Sequence, residues 1–481
     1  MDFTSSAYLA FVAVTVLVFN LWRSLHFRQW MLLLANVVFL ASFVRSPAQL
    51  APLAGFLLLG YAATRWVTQW RRPWVLGATA ALIVFVFVVL KRYAFLPTSL
   101  GLPFLYLQIG LSYILFRILQ MVIDAAGGEA EAQLSPLNFW NFTCNFLCFV
   151  SGPIQRSNEY LADLQQLTRK VDESLAFAAM HRIVKGFVKL AVISAIANFL
   201  FANWAGPLLD EATTLATWRY TALYAACAVT YTFYLYYNFS GYMDIVIGIG
   251  WLLGQNLPEN FDRPFSARNI FEFWARWHMT LSEWFKTYLF NPLMKFLATR
   301  VSAPVLLPYL GVLAFFVTFF VMGVWHGSTA VFVIYGLVMG AGASLNKLWQ
   351  VFMTARLGKK RYKLLGDTLT YAALARGLMF AFFAIAVTGL WVNMEQLALL
   401  AHRLGASGLA LALLGTALCA AVGGLLVDNA GRILRSWAPR LDRVNLAGLF
   451  TRNLVLASEV LLVFAVGSFF HKAPEFVYKA F

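Results

Sequence analysis

Two histidines occupy places where an ionisable side chain needs a reason. His326 lies in Met322-Gly323-Val324-Trp325-His326-Gly327, within a stretch from Val301 to Asn346 that holds no Asp, Glu, Lys or Arg. No opposite charge stands nearby in sequence to pair with it, and an ionisable residue at membrane depth is a functional candidate by default. Imidazole titrates near pH 6.5 when unperturbed, so it can accept a proton near neutrality, and desolvation favours its neutral, basic form. A positioned base contributes roughly 10²- to 10⁴-fold to a rate. Here it could activate a hydroxyl for attack on an acyl thioester. The competing reading is a neutral histidine satisfied by a backbone carbonyl. Glycines on both sides let the chain turn and approach its neighbours closely.

His278 lies in Phe271–Leu289, FEFWARWHMTLSEWFKTYL. Helical spacing places Trp274, Trp277, Leu281, Phe285 and Tyr288 along one side and Glu272, Arg276, Glu283 and Lys286 along the other. That pattern predicts an amphipathic, Trp-rich interfacial helix. His278 shares the aromatic side and on its surroundings alone reads as a structural, hydrogen-bonded histidine. Should it join the chemistry, it or another donor would stabilise an oxyanion.

The elements that must position these side chains are membrane spans. Of 481 residues 61% are hydrophobic and only 12% charged, and mean hydropathy is +0.71. Ordinary soluble domains carry roughly 25% charged residues, so lipid is the main solvent. The charge-free run around His326 is about twice the length one spanning helix needs and reads as two spans joined by a turn. Comparable runs lie near residues 5–22, 30–44, 49–64, 74–90, 102–123, 184–206, 220–251, 370–392, 407–427 and 453–470. The expectation is an all-α polytopic protein with roughly eleven transmembrane helices plus re-entrant and interfacial helices. A barrel is disfavoured because the runs are continuously apolar, and the first run, lacking a basic leader, reads as a retained helix.

The net charge of +16 gathers in short clusters between spans, the positive-inside pattern, and does not point to nucleic acid. Lys347, Arg356, Lys359, Lys360, Arg361 and Lys363 mark one cytoplasmic loop, and Arg432, Arg435, Arg440 and Arg443 another. The turn at His326 would then approach the opposite side, as would Asp210 and Glu211. Cys144, Cys148, Cys227 and Cys419 show no paired spacing and read as small buried hydrophobes, without disulfide or zinc. Residues 124–136 read as a loop, Phe142–Val150 as a short apolar segment, re-entrant in character, stopped by Ser151-Gly152-Pro153, and Asn158–Lys185 as a surface helix or helix pair. Residues 1–481 are expected to form a single membrane domain, with chemistry concentrated in about 231–345 and an aromatic, basic tail at His471–Phe481.

Several ordered motifs share that core: Tyr237-Asn238-Phe239-Ser240-Gly241-Tyr242-Met243-Asp244, Pro258-Glu259-Asn260-Phe261, Pro264-Phe265, Phe273-Trp274, Arg276-Trp277-His278-Met279-Thr280-Leu281-Ser282 and Gly323-Val324-Trp325-His326-Gly327. In this order and spacing the chain resembles the membrane-bound O-acyltransferase (MBOAT) family, in its bacterial branch of alginate O-acetylation and teichoic-acid D-alanyl transfer proteins. The resemblance implies a ring of helices around a thin centre, a cytoplasmic route for an acyl donor and an outer funnel for the acceptor. It matches His326 to the family's catalytic histidine and His278 to the second histidine of the branch. Asn238, Ser240, Asp244, Asn260 and Arg276 also match motif positions and read as support for the core. Leu289-Phe290-Asn291-Pro292 departs from the continuation expected of alginate-type members, whereas Gly241–Asp244 and Pro258–Phe261 fit that group. Arg276–Ser282 and Met322–Gly327 fit the teichoic-acid group, so the acceptor stays open.

What the resemblance implies is an O-acyltransferase of the bacterial inner (cytoplasmic) membrane. It would take a small acyl group, foremost acetyl, from a cytoplasmic thioester and export it for O-acylation of a cell-surface or exported polysaccharide. The donor would be acetyl-CoA or an acyl carrier protein, and a periplasmic or extracellular acyltransferase partner would complete the transfer. No metal or prosthetic group is expected. D-alanyl transfer to teichoic acid is the alternative within the family. A proton-coupled transporter or flippase using the histidines as relays is the rival from another class, although no inverted repeat is visible, and a noncatalytic scaffold for a polysaccharide synthase is a third reading.

Overall fold

The computed structural model describes residues 5–128, 134–212, 214–301, 303–441 and 445–470. Among them helices are the only extended regular element, and the sole strand-like pairing is a bridge between Phe261 and Trp277. Among the described residues seven helices are long and apolar enough to cross a membrane: Pro47–Gln69, Pro73–Lys91, Glu173–Leu209, Leu307–Trp325, Ala330–Gly366, Leu369–Leu390 and Met394–Ala430. At 1.5 Å per residue even a 19-residue helix reaches about 29 Å, the thickness of the hydrocarbon layer. Ser6–Leu21, Leu25–Ala41 and Leu454–Gly467 are apolar but shorter. The roughly eleven expected spans therefore resolve into seven full-length candidates and three short helices. The helix Thr217–Leu252 is long enough, at 36 residues, but carries tyrosines, Asn238, Ser240 and Asp244 through its length and is not one of the seven.

Two expectations change in shape. The run near 102–123 becomes helical only from Leu111, after Gly110 takes φ +82, and that helix extends to Gly127. The basic loop expected at Lys347–Lys363 is instead the end of a helix that continues to Gly366, kinked where Gly358 adopts φ +75. Lysine and arginine are good helix formers, so a basic cluster marks a side of the membrane without ending a helix. The expected Asn158–Lys185 helix pair is present as Ser157–Gln166 and Glu173–Phe187, the second running on through a π-turn to Leu209. Arg443 and the tail His471–Phe481 lie outside the described residues, as do residues 129–133 of the expected loop. Cys144, Cys148 and Cys227 are buried and Cys419 is exposed, all as free thiols.

The chain divides into two compact units, one formed by Met1–Phe187 with Phe239–Glu259, the other by Val188–Asn238 with Asn260–Pro474. In the first, Phe11, Phe39, Phe146 and Phe149 form an aromatic cluster, with Phe11 and Phe146 edge-on at 5.3 Å. Beside it the irregular backbone of residues 144–153 is wholly buried. Such backbone survives at membrane depth only where protein satisfies its polar groups. Arg117 donates to the carbonyls of Phe142, Thr143 and Cys148, Tyr242 donates to that of Leu147, and Asn36 accepts from the Phe146 amide.

In the second unit the helices Leu307–Trp325 and Ala330–Gly366 form a hairpin at backbone contact. A Cβ on Gly323 would stand 2.3 Å from the Gly336 Cα, and one on Gly336 would stand 2.6 Å from the Phe320 carbonyl oxygen. Only glycine tolerates that approach. The Ser344 hydroxyl adds a bond to the Val312 carbonyl at 3.0 Å. The result is a closely packed helix pair, free of charged residues from Leu307 to Asn346, whose connecting turn holds His326.

Candidate active site

His326 caps the helix Leu307–Trp325 and is 3% exposed. Phe315, Phe319, Met322 and His326 follow at spacings of four, three and four, so they share one face of the helix. Phe271 packs on Phe315 with ring centroids 4.2 Å apart, and Trp274 packs on Phe319 at 5.6 Å. The Ile270 amide donates to the Asn346 side-chain oxygen on the other arm of the hairpin. This packing brings the segment that carries His278 onto the helix that ends in His326.

That segment is not the continuous interfacial helix its periodicity predicts. It is helical over Ile270–Trp274 and again from Met279, and between them His278 takes φ +47, ψ +52, the left-handed region. The burial pattern is nevertheless that of the expected helix. Trp274, Trp277, Leu281 and Phe285 are buried, while Glu272 pairs with Arg276 at 3.2 Å and Glu283 with Lys286 at 3.1 Å on the outer side. Trp277 stacks on Phe273 and meets Phe261, Phe265, Tyr236 and Phe383, with the Phe383 centroid 4.8 Å away. This aromatic wall leaves His278 with no exposed surface.

The hydrogen bonds fix which nitrogen of His326 can act. Its Nδ1 lies 2.6 Å from the Met322 carbonyl oxygen. A carbonyl only accepts, so Nδ1 carries the proton and Nε2 carries the lone pair. The carbonyl-satisfied histidine and the competent base are thus the same arrangement. The ring also meets Tyr335 edge-on at 5.6 Å and Trp325 at 4.9 Å. Gly327 is needed beside it because a Cβ there would fall 2.0 Å from the Phe332 ring.

Both histidines lie beyond the ends of the spanning helices, and burial lowers the proton affinity of each. For His326 the imidazole pKa falls to about 4, opposed by the Met322 hydrogen bond. For His278 it falls well below the ordinary value, first through burial, then through the charge His326 would carry, against a bond to its own carbonyl. The second cause puts the two rings within electrostatic reach of each other. At neutral pH the site holds two neutral imidazoles.

Of the other motif residues, Asn238 donates to the Ser194 hydroxyl at 3.4 Å, and Arg276 pairs with Glu272 and Asp262. In the other unit Asp244 pairs with Arg182, which also holds Glu259, and Ser240 is buried. Asn260 is the exception: its side-chain oxygen lies 3.3 Å from His278 Nδ1. Its signal in the sequence is only the spacing between two motifs. Among the described residues no group of three or more His, Cys, Asp or Glu could hold a metal ion.

Comparison with known proteins bears on this arrangement. The family model of membrane-bound O-acyltransferases matches residues 74–366, well over half of the chain, and spans both histidines and every motif above. The chain belongs to the membrane-bound O-acyltransferase family. A teichoic acid D-alanyltransferase of Bacillus subtilis is 32% identical over 233 residues, covering 48% of this chain and 56% of that protein. A probable alginate O-acetylase of Pseudomonas syringae is 30% identical over 259 residues, 52% of this chain and 46% of the relative. A peptidoglycan O-acetyltransferase of Helicobacter pylori is 30% identical over 218 residues, 44% and 38% respectively. The chain spans about half or less of the length of these relatives, so the MBOAT core is what they share with it.

Proposed function

We propose that this MBOAT protein is an O-acyltransferase that moves a small acyl group, foremost acetyl, from a cytoplasmic thioester to an acceptor on the far side of the membrane. The donor is acetyl-CoA or an acyl-carrier-protein thioester. The final acceptor is a cell-surface or exported polysaccharide, with an outward-facing acyltransferase partner completing the transfer after the acyl group has left the thioester, and the protein resides in the bacterial inner membrane. His326 is the general base. Its Nε2 takes the proton of the acceptor hydroxyl as that oxygen attacks the thioester carbonyl. The C–O bond forms, the C–S bond breaks, and the departing thiolate recovers the proton from the imidazolium.

The observation that carries this reading is the bond from His326 Nδ1–H to the Met322 carbonyl, which leaves the lone pair on Nε2 in a buried setting. Apolar surroundings that keep the ring neutral favour a base over a salt-bridging cation. D-alanyl transfer is the second reading, supported by the similarity to a teichoic acid D-alanyltransferase. It uses the same base and differs in acyl group and acceptor.

The test measures transfer of labelled acyl group to surface glycan, with thioester binding alongside, in His326→Gln and His326→Ala. Glutamine keeps a hydrogen-bonding group but cannot take up a proton in this pH range. Both variants should insert and bind donor while transfer falls at least about 10²-fold. Near-normal transfer by His326→Gln would remove the general base and leave a positioning role. A proton-coupled transporter would show substrate movement without consuming thioester.

A further inference from the structure

Residues 260–262 and 276–280 lie against each other in antiparallel fashion. The Asp262 amide donates to the Arg276 carbonyl at 2.9 Å, the Met279 amide donates to the Asn260 carbonyl at 3.0 Å, and Phe261 bridges Trp277 between them. The middle of this pairing holds His278 in the left-handed backbone region, uncommon for residues other than glycine and entered among them most often by asparagine, aspartate and histidine. A residue held there is over-determined by its surroundings, and such positions cluster at functional sites.

The Asn260 side chain meets three donors. Its Oδ1 lies 3.1 Å from the Thr280 amide nitrogen, 2.9 Å from the Thr280 hydroxyl and 3.3 Å from His278 Nδ1. A backbone N–H can only donate, so the atom it meets on Asn260 must be the carboxamide oxygen, whichever way the amide is drawn. An oxygen with no hydrogen cannot donate in return. His278 Nδ1 must therefore carry the proton, and the lone pair lies on Nε2. His326 has the same tautomer, with a backbone carbonyl where His278 has Asn260.

We infer that Asn260 is a positioning residue of the transfer reaction: its carboxamide oxygen locks His278 as a hydrogen-bond acceptor at Nε2. This rests on the acyl-transfer reading above. It assigns His278 a role opposite to that of an oxyanion donor, because a neutral imidazole protonated at Nδ1 has no Nε2–H to offer. Oxyanion stabilisation then falls to other donors, and His278 accepts from a polar hydrogen of the reacting groups. Asn260 thereby does for His278 what Met322 does for His326, from a loop 18 residues away in sequence.

The experiment uses the full chain in lipid nanodiscs with ¹⁵N-labelled histidine. The six histidines are few enough to assign His278 by difference from His278→Ala. In the native protein His278 should show a protonated Nδ1 and the high-frequency resonance of an unprotonated Nε2. Asn260→Leu should lose that signature and lower kcat for thiol release from acetyl-CoA, with acceptor polysaccharide present, about 10- to 100-fold. KM for the donor should stay within about twofold, because an interaction made only during reaction is lost. Asn260→Asp keeps an acceptor at the same place and should restore both the tautomer and most of kcat.

An unlabelled structural asparagine would lower the thermal midpoint without changing the tautomer of the folded fraction. Should Asn260→Leu fail to fold, the native spectrum and the aspartate variant still decide. A proton on Nε2 in the native protein, native kcat in folded Asn260→Leu, or no rescue by aspartate overturns the inference. His326→Gln in the same assay separates the two readings. Native turnover by that variant removes the general base, whereas the His278 resonances report on the contact with Asn260.

Discussion

Each compact unit buries an ionisable side chain, and the two differ in what surrounds it. In the first, Arg117 is 1% exposed with its guanidinium on the carbonyls of Phe142, Thr143 and Cys148. It makes no ion pair among the described residues. Phe142 and Thr143 close the short helix Pro136–Thr143, whose carbonyl end favours a cation. In the second, each histidine has its Nδ1 on an oxygen acceptor, the Asn260 side chain for His278 and the Met322 carbonyl for His326. Burial alone therefore does not mark chemistry. What marks it is a partner that leaves a competent atom over. Arg117 can only donate and holds irregular backbone, whereas a neutral imidazole is a donor at one nitrogen and an acceptor at the other.

The largest contrast to test sets Arg117→Met beside His326→Ala. Methionine fills much of the arginine's volume but leaves three buried carbonyls without their donor, each costing about 1–3 kcal/mol. With partial relaxation the expected loss is about 3–5 kcal/mol, as for a broken buried charge contact. Such a loss removes most of the folded protein. Activity per folded molecule should be retained. His326→Ala should do the reverse, keeping the thermal midpoint within a few degrees while transfer disappears. Size-exclusion profiles and thermal midpoints in detergent, set against transfer per folded molecule, distinguish the two. An Arg117→Met protein that is stable but inactive would erase the comparison and place the first unit in the chemistry.

A smaller effect is expected at His278. His278→Ala removes an acceptor from the site and should lower transfer about 10- to 100-fold, leaving more activity than His326→Ala. Alanine at φ +47 is also disfavoured, so part of the loss should appear as instability. His278→Asn tolerates that backbone better and separates the two contributions. Equal and complete inactivation in two well-folded alanine variants would mean that the histidines act as an inseparable pair.

How much of this was legible in the sequence follows from which forces leave a local trace. The turn at His326 was legible because close packing of two helices across a charge-free run demands glycine, and Gly323 and Gly327 flank the histidine accordingly. The aromatic side of Phe271–Leu289 was legible too, since burial follows side-chain type. The break at His278 was not. Its left-handed backbone is compensated by Asn260 across 18 residues, and periodicity carries no record of a long-range hydrogen bond. Arg117 was hidden for the same reason, lying in a run that reads as apolar and facing backbone carbonyls, which have no sequence signature. Asn260 resembled core support because nothing near it in sequence announces the ring it holds.

The smallest expected effect is a displacement on the pH axis. Burial lowers the His326 pKa to about 4, so the ring is the unprotonated base throughout the neutral range, and a base works above its own pKa. As pH falls, kcat/KM should hold through the ordinary histidine value near 6.5 and decline only towards about 4–5. Stability moves in the same direction for a related reason. The unfolded chain takes up a proton at about 6.5 that the folded chain refuses, so stability is full above that value and erodes as pH falls towards the folded pKa. For His326 alone the loss is about 2 kcal/mol at pH 5. The profile must therefore be measured with return to pH 7 as a check, because titration of the base reverses at once and unfolding in a bilayer does not. A reversible limb centred near 6.5 would mean that water reaches the working ring. The second unit's site would then differ from a surface histidine in geometry but not in solvation.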